Sequence, residues 1–320
     1  MAEQDNGEPK SESKPSFVKN LGRGLSGQVD LCKWRGEQVV AKYVRDDVID
    51  SERAGQLANL EQEAEALNTF KDDPRFIQLK GTSETPSGQF CLLLEPLLPE
   101  DDWHELSHLN LHGTAEKVGA IHEICEVWNT LVEKNLLDRF EFRPKSFFYN
   151  PGIYGYDINV KAFDFNLPKD LLHKNSDIVA SQKERLFFTL LSVLKGKDID
   201  DLSVRELDEK NRYGHPENTW EEEFKETDNP EFKKLMKRCL DNFINKPELD
   251  KIDINALIGL DLQHQYAAEA MEAMEALSTT DMIKKIIARL EKKWPDSLIL
   301  RGYKNDLIYL EKLERKNKAK

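Results

Sequence analysis

Residues 22–29 of this 320-residue chain read GRGLSGQV, and residues 39–42 read VVAK. The first stretch sets Gly22, Gly24, Gly27 and Val29 in a G-x-G-x-x-G-x-V pattern. Glycines at that spacing let a backbone bend tightly and approach phosphate oxygens with no Cβ in the way. A dinucleotide-binding fold needs a helix directly after such glycines. Here the flanking sequence is strand-like instead. QVDLCKW (28–34) and EQVVAKYV (37–44) alternate or run apolar and are parted by Arg35-Gly36, a hairpin turn signal. The second of these carries Lys42, thirteen residues after Val29.

Working outward, ERAGQLANLEQEAEALNTF (52–70) repeats Leu57, Leu60, Ala64 and Leu67 at helical spacing, and Pro74 ends that section. FIQLKGTSE (76–84) and GQFCLLLEP (88–96) read as two strands joined by a Pro-Ser-Gly turn. Beyond Pro99 the pattern turns helical. AEKVGAIHEICEVWNTLVEKN (115–135) puts Val118, Ile121, Ile124, Cys125, Trp128, Leu131 and Val132 on one face. RFEFRPKSFF (139–148) comes next, then INVKAFDF (158–165) as a strand. SQKERLFFTLLSVLKG (181–196) is apolar enough for a buried helix, and NPEFKKLMKRCLDNFI (229–244) is amphipathic. From about Asp261 two or three further helices are expected, their Ala and Met stripe a packing face. The fold class expected is α+β, with an antiparallel sheet followed by helices. The divisions expected are a disordered lead-in over 1–16, a strand-rich part over 17–98, a helical part over 99–260 and a C-terminal helical extension over 261–320.

Composition narrows the function classes. The 46 basic and 59 acidic side chains leave a net charge of −13, which argues against broad nucleic-acid or anionic-membrane binding. No apolar run is long enough to span a bilayer, and the polar opening residues lack the apolar region of a secretory signal. Cys32, Cys91, Cys125 and Cys239 lie far apart and read as free thiols in a reducing compartment, so a cytoplasmic location is expected. HELSH (104–108) matches the zinc-binding H-E-x-x-H, with His112 as a candidate third ligand. The preferred reading is a polar, partly exposed helix.

With its glycines, lysine and strand order, the chain resembles the protein kinase superfamily, whose Gly-rich loop covers ATP and whose third-strand lysine holds the phosphates. Gly22, Gly24, Gly27, Val29, Ala41 and Lys42 follow that pattern. The resemblance implies a helix glutamate paired with Lys42; Glu63 falls at the right distance, with Glu61 the runner-up. It implies a hinge in FCLLLEPLL (90–98), with Leu94 as gatekeeper and Glu95 and Leu97 as backbone contacts to adenine.

The catalytic end departs from the pattern. RFEFRPKS lies without a gap on the kinase catalytic loop, with Glu141 at the base position, Arg143 at the lysine position, Pro144 retained and Ser146 at the metal-binding asparagine position. A shifted register with Asp138 as the acid loses the Arg-Pro match. In VKAFDFN (160–166), Asp164 and Phe165 are retained and Asn166 replaces glycine. The Phe-Arg-Pro sequence is similar to a divergent branch that includes protein O-mannose kinase and the vertebrate lonesome kinase. No recognisable peptide-substrate platform follows Asp164.

The resemblance therefore implies a bilobal fold, with a small antiparallel-sheet N-lobe, a helical C-lobe and extra C-terminal helices. It further implies ATP and Mg²⁺ as cofactors, with Asp164 and Ser146 toward the metal. The expected activity is phosphoryl transfer to a Ser/Thr hydroxyl of a protein or to a non-peptide acceptor. The alternative is a pseudokinase that serves as a nucleotide-binding or structural scaffold for a partner protein.

Overall fold

The computed structural model describes residues 14–24, 27–108, 111, 113–151, 158–165, 175–196, 229–246 and 250–275, with isolated positions between 284 and 315. The protein is α+β, and its chain divides into two compact units. The first comprises residues 1–101, 138–141 and 161–173, and the second comprises residues 102–137, 142–160 and 174–320. The expected lead-in over 1–16 and the Asn166 position lie largely or wholly outside the described residues.

The first unit is built on a five-stranded antiparallel sheet, in the order β1-β2-β3-β5-β4. Its strands are β1 (Ser16–Arg23), β2 (Gly27–Trp34), β3 (Glu37–Val44), β4 (Leu79–Glu84) and β5 (Phe90–Leu94). The Arg35-Gly36 turn forms as expected, with φ of 52° and 89°, the left-handed pair that matches a hairpin's twist. Arg35 is held there with its guanidinium 4.1 Å from the Trp34 ring centroid. Between β3 and β4 runs helix α1 (Asp50–Thr69), which has no side-chain cap but carries Asp50 and Glu52 in its first turn, where carboxylates complement the helix dipole.

Pairing register sorts the sheet's side chains onto two faces. Val29 and Leu92 sit opposite Lys42, and Leu94 sits opposite Val40. Strand alternation puts Val29, Val40, Lys42, Leu92 and Leu94 on one face. The other face carries Cys32, Val39, Ala41, Cys91 and Leu93, packed with Trp34 and Tyr43.

The second unit contains α2 (Thr114–Glu133), α3 (Asn175–Lys195), α4 (Pro230–Cys239), which runs on into a π turn at Leu240–Ile244, and α5 (Ile254–Glu275). Strands β6 (His104–Glu105) and β7 (Phe147–Asn150) pair antiparallel. β8 (Asn159–Ala162) is the third strand of that sheet and runs across the boundary, with Asn159 and Val160 in this unit and Lys161 and Ala162 in the first. The apolar face expected of α2 is buried apart from half-buried Val132, and Trp128 is its centre. Trp128 packs against Phe142 and Phe243, and its indole N–H donates to the Asp250 carbonyl at 3.2 Å. Asn229 caps α4 by accepting from the Glu231 and Phe232 N–H groups.

Helix α5 is broken at Gly259 (φ 75°, ψ 161°). Arg238 holds the break, donating from Nε to the Leu257 carbonyl and from Nη2 to the Ile258 carbonyl. Residues 261–275 are built into this unit, not appended to it: Glu269 accepts the Ala115 N–H at 2.8 Å and so caps α2, whose N-cap residue Gly113 has no side chain to do it. HELSH does not form the helix expected of it. His104 and Glu105 belong to β6 and Leu106–His108 make a 3₁₀ turn, so the two histidines lack the one-turn spacing on an α-helix face that zinc ligation of this type uses. Among the described residues no helix is long and apolar enough to cross a membrane.

Candidate functional site

Three residues far apart in sequence meet in the first unit. Lys42 Nζ donates to Glu63 Oε1 at 2.8 Å and to Asp164 Oδ1 at 2.9 Å. β3 supplies the lysine, the buried face of α1 the glutamate, and the segment after β8 the aspartate. Side-chain exposure grades the three: 1% for Glu63, 15% for Lys42 and 49% for Asp164. Burial alone would lower the Lys42 pKa, but the two carboxylates outweigh it and raise the ammonium above its ordinary value. Glu61 is exposed on the opposite side of α1, which decides for Glu63. Asp164 has φ of 68°, a left-handed conformation that aspartate tolerates better than most residues.

No protein-family model matches this chain, and no curated protein matches it.

Aromatic packing holds the acidic segments in place. Phe165, the neighbour of Asp164, lies 5.6 Å from Phe70, 6.0 Å from Phe76 and 5.3 Å from Phe140, ring centroid to centroid. Phe70 and Phe76 stack at 3.9 Å. Phe140 precedes Glu141, so one buried cluster anchors the segments of both Glu141 and Asp164 beyond the C-terminal end of α1. Arg139 adds a hydrogen bond from its guanidinium to Gln62, next to Glu63. Glu141 itself is half-buried. The decapeptide 139–148 then continues into the second unit, where Phe142 packs on Trp128 and Phe147. Arg143 precedes a 3₁₀ turn there, its carbonyl accepting the N–H of buried Ser146 at 2.9 Å.

The glycines show no internal need to be glycines. None of Gly22, Gly24 and Gly27 has a positive φ. A Cβ on Gly22 would meet nothing within 4 Å, and at Gly24 or Gly27 it would make only ordinary contacts. The Gly24 N–H donates to the Gly27 carbonyl at 2.9 Å, and Arg45 donates to the Gly24 carbonyl at 2.8 Å.

One expected site residue is displaced. Ala41 lies in the apolar cluster on the face opposite Lys42, because neighbours on a strand point to opposite sides. Val40, two residues before Lys42, shares the lysine's face together with Val29 and Leu94. Counting back from Lys42 in steps of two would have found it. Along the stretch after β5, Glu95 donates its N–H to the Gln78 carbonyl at 2.9 Å, and its carboxylate accepts from the Gln78 N–H at 2.8 Å and from Lys161. The Leu97 N–H meets no acceptor among the described residues. Lys161 escaped the sequence reading; its one visible signal is a charge inside the apolar run of INVKAFDF.

Asp164 suits Mg²⁺ chemically, since its carboxylate is a hard oxygen donor and is half-exposed. Mg²⁺ is ordinarily held by one or two carboxylates together with substrate phosphates. Among the described residues no group of three or more His, Cys, Asp and Glu side chains is placed to hold a metal by itself.

Proposed function

We propose that this chain binds Mg·ATP and transfers the γ-phosphoryl group to a hydroxyl acceptor, in the manner of the divergent protein kinases its motifs resemble. The observation that carries the reading is the Lys42 ammonium held between Glu63 and Asp164, at 2.8 and 2.9 Å, on the same sheet face as Val29 and Leu94. A lysine so clamped is fixed in direction and stays charged, as a phosphate-binding cation must. Glu63, almost wholly buried, orients it. Gly22, Gly24 and Gly27 put no side chain in the way of a phosphate chain, although the Gly24 N–H is itself taken by the Gly27 carbonyl.

Asp164 would hold the metal ion, which supplies neutralisation of charge on the phosphate oxygens. In this reading Glu141 accepts the proton of the acceptor hydroxyl and aligns its oxygen. Glu141 is one methylene longer than the aspartate usual at this position, and misplacement of about 1 Å costs on the order of 10²-fold in rate. A slow enzyme is therefore expected.

One observation favours a second reading, a nucleotide-binding scaffold without turnover. Glu141 is bracketed by Phe140 and Phe142, both fully buried, so its segment is committed to packing. Radiolabelled ATP with Mg²⁺ separates the two. Turnover or autophosphorylation lost in both Lys42→Ala and Glu141→Ala supports the enzyme. Stabilisation by ATP with no turnover supports the scaffold, and no effect of nucleotide sinks both.

A further inference from the structure

We propose that Lys161 and Glu95 form a positioning pair for the nucleotide site, tying the backbone after β5 to the segment that carries Asp164. This rests on the nucleotide-binding reading above, and adds a coupling that the phosphate-end chemistry does not require.

The connection can be followed atom by atom within the first unit. Glu95 Oε1 accepts from Lys161 Nζ and from the Gln78 N–H, while the Glu95 N–H returns a bond to the Gln78 carbonyl. The Gln78 side chain donates to the carbonyls of Phe70, Asp73 and Phe76, at 3.4, 2.9 and 2.8 Å. It thereby gathers the loop that leaves α1. That same loop grips β8: the Ile77 N–H donates to the Ala162 carbonyl at 3.0 Å, and the Ala162 N–H to the Arg75 carbonyl at 2.8 Å. Lys161 thus reaches Glu95 with its side chain, its neighbour Ala162 is pinned through the backbone, and Asp164 follows two residues later.

The pair is largely buried, with side-chain exposures of 12% for Lys161 and 19% for Glu95. A buried ion pair is a poor source of stability beside an apolar pair of equal size, because both charges must be desolvated. Its better-supported use is to fix one arrangement among alternatives. Here the fixed arrangement turns the Glu95 carboxylate inward and occupies its N–H, leaving its carbonyl as the group a base could meet. It also sets the strand from which Asp164 projects. Occupancy at the base end and metal binding at Asp164 are therefore coupled through Lys161.

The test compares wild type with Lys161→Met, Lys161→Arg, Glu95→Gln and Asp164→Asn by calorimetric titration. The probes are ATP and inorganic triphosphate, each with and without Mg²⁺. Wild type is expected to prefer ATP over triphosphate and to bind it more tightly with Mg²⁺. Lys161→Met should lose about tenfold in Mg·ATP affinity, the scale of one charge-assisted hydrogen bond. The loss should appear both in the ATP-over-triphosphate preference and in the Mg²⁺ enhancement, while Lys161→Arg keeps both. Asp164→Asn should lose the Mg²⁺ enhancement alone. Glu95→Gln, which keeps an acceptor for the Gln78 N–H, should share the double loss in smaller measure; it decides the matter if Lys161→Met fails to fold. A purely structural role would lower the unfolding midpoint and leave both ratios at wild-type values, which overturns the proposal and leaves the nucleotide-binding reading standing. Failure of wild type to bind ATP sinks the reading itself, and the coupling with it.

Discussion

Replacing Lys42 by Met removes the charge from a site where the two carboxylate partners differ sharply in burial. Glu63 is 1% exposed, so losing the lysine strands a carboxylate in the interior; breaking a buried pair in this way costs about 3–5 kcal/mol. Asp164 is half-exposed, and water replaces much of what the lysine supplied, so its share is about 1 kcal/mol or less. A double-mutant cycle reads the two separately. Lys42→Met with Glu63→Leu should show a coupling of about 2–3 kcal/mol, because the apolar pair recovers most of what either single change loses. Lys42→Met with Asp164→Asn should be nearly additive. Urea unfolding followed by tryptophan fluorescence gives the free energies, and thermal shift with Mg·ATP gives the functional side. The Lys42→Met/Glu63→Leu protein should regain stability and show no nucleotide shift. The sign of the pH dependence follows from the raised lysine pKa. Its contribution is fully present below the unfolded lysine's pKa and is lost only as pH climbs through the higher folded value, so stability from this pair should be flat between pH 6 and 9. A Lys42–Asp164 coupling equal to the Lys42–Glu63 coupling, or a Lys42→Met variant destabilised by less than about 1 kcal/mol, would refute the assignment of Glu63 as the buried clamp.

Three further outcomes are expected. All four cysteines are buried and their thiols are raised, Cys91 to about 11 and Cys239 to about 12, so a thiol-reactive dye at pH 8 should label none until denaturant is added. Gly259→Ala should destabilise by about 2 kcal/mol or more, since the residue has a positive φ and its Cβ would stand 2.6 Å from Asp261 Oδ1; Gly22→Ala, which meets nothing, should leave stability near wild type in urea while weakening ATP binding. Phe165→Ala should cost about 3–5 kcal/mol and abolish the Mg²⁺ dependence of ATP binding, whereas Phe165→Leu should retain most of both.

Much of the first unit could be read before folding. The Arg35-Gly36 hairpin, α1 and the two later strands depend on local signals of turn chemistry and periodicity, and each element lies where those signals put it. Local periodicity also found α2, whose apolar face is nearly continuous. The same kind of signal failed at HELSH, where five residues suit a helical metal motif but pairing with β7 draws His104 and Glu105 into a strand. It failed again at Ala41, where matching letters overrode the two-residue alternation that fixes strand faces.

The site divides along the same line. Sequence by itself determined the glycine spacing, the lysine on β3 and the candidate acids, because spacing along the chain is a one-dimensional property. Only the tertiary structure decided between Glu63 and Glu61, since the two stand about half a turn apart on α1, which buries one carboxylate and exposes the other. It alone brought Asp164 to Lys42 across 122 positions, by packing Phe165 against Phe70, Phe76 and Phe140. It alone revealed Lys161 beside Glu95, for a lone lysine in an apolar strand says nothing of its partner until the strands and loops are laid side by side.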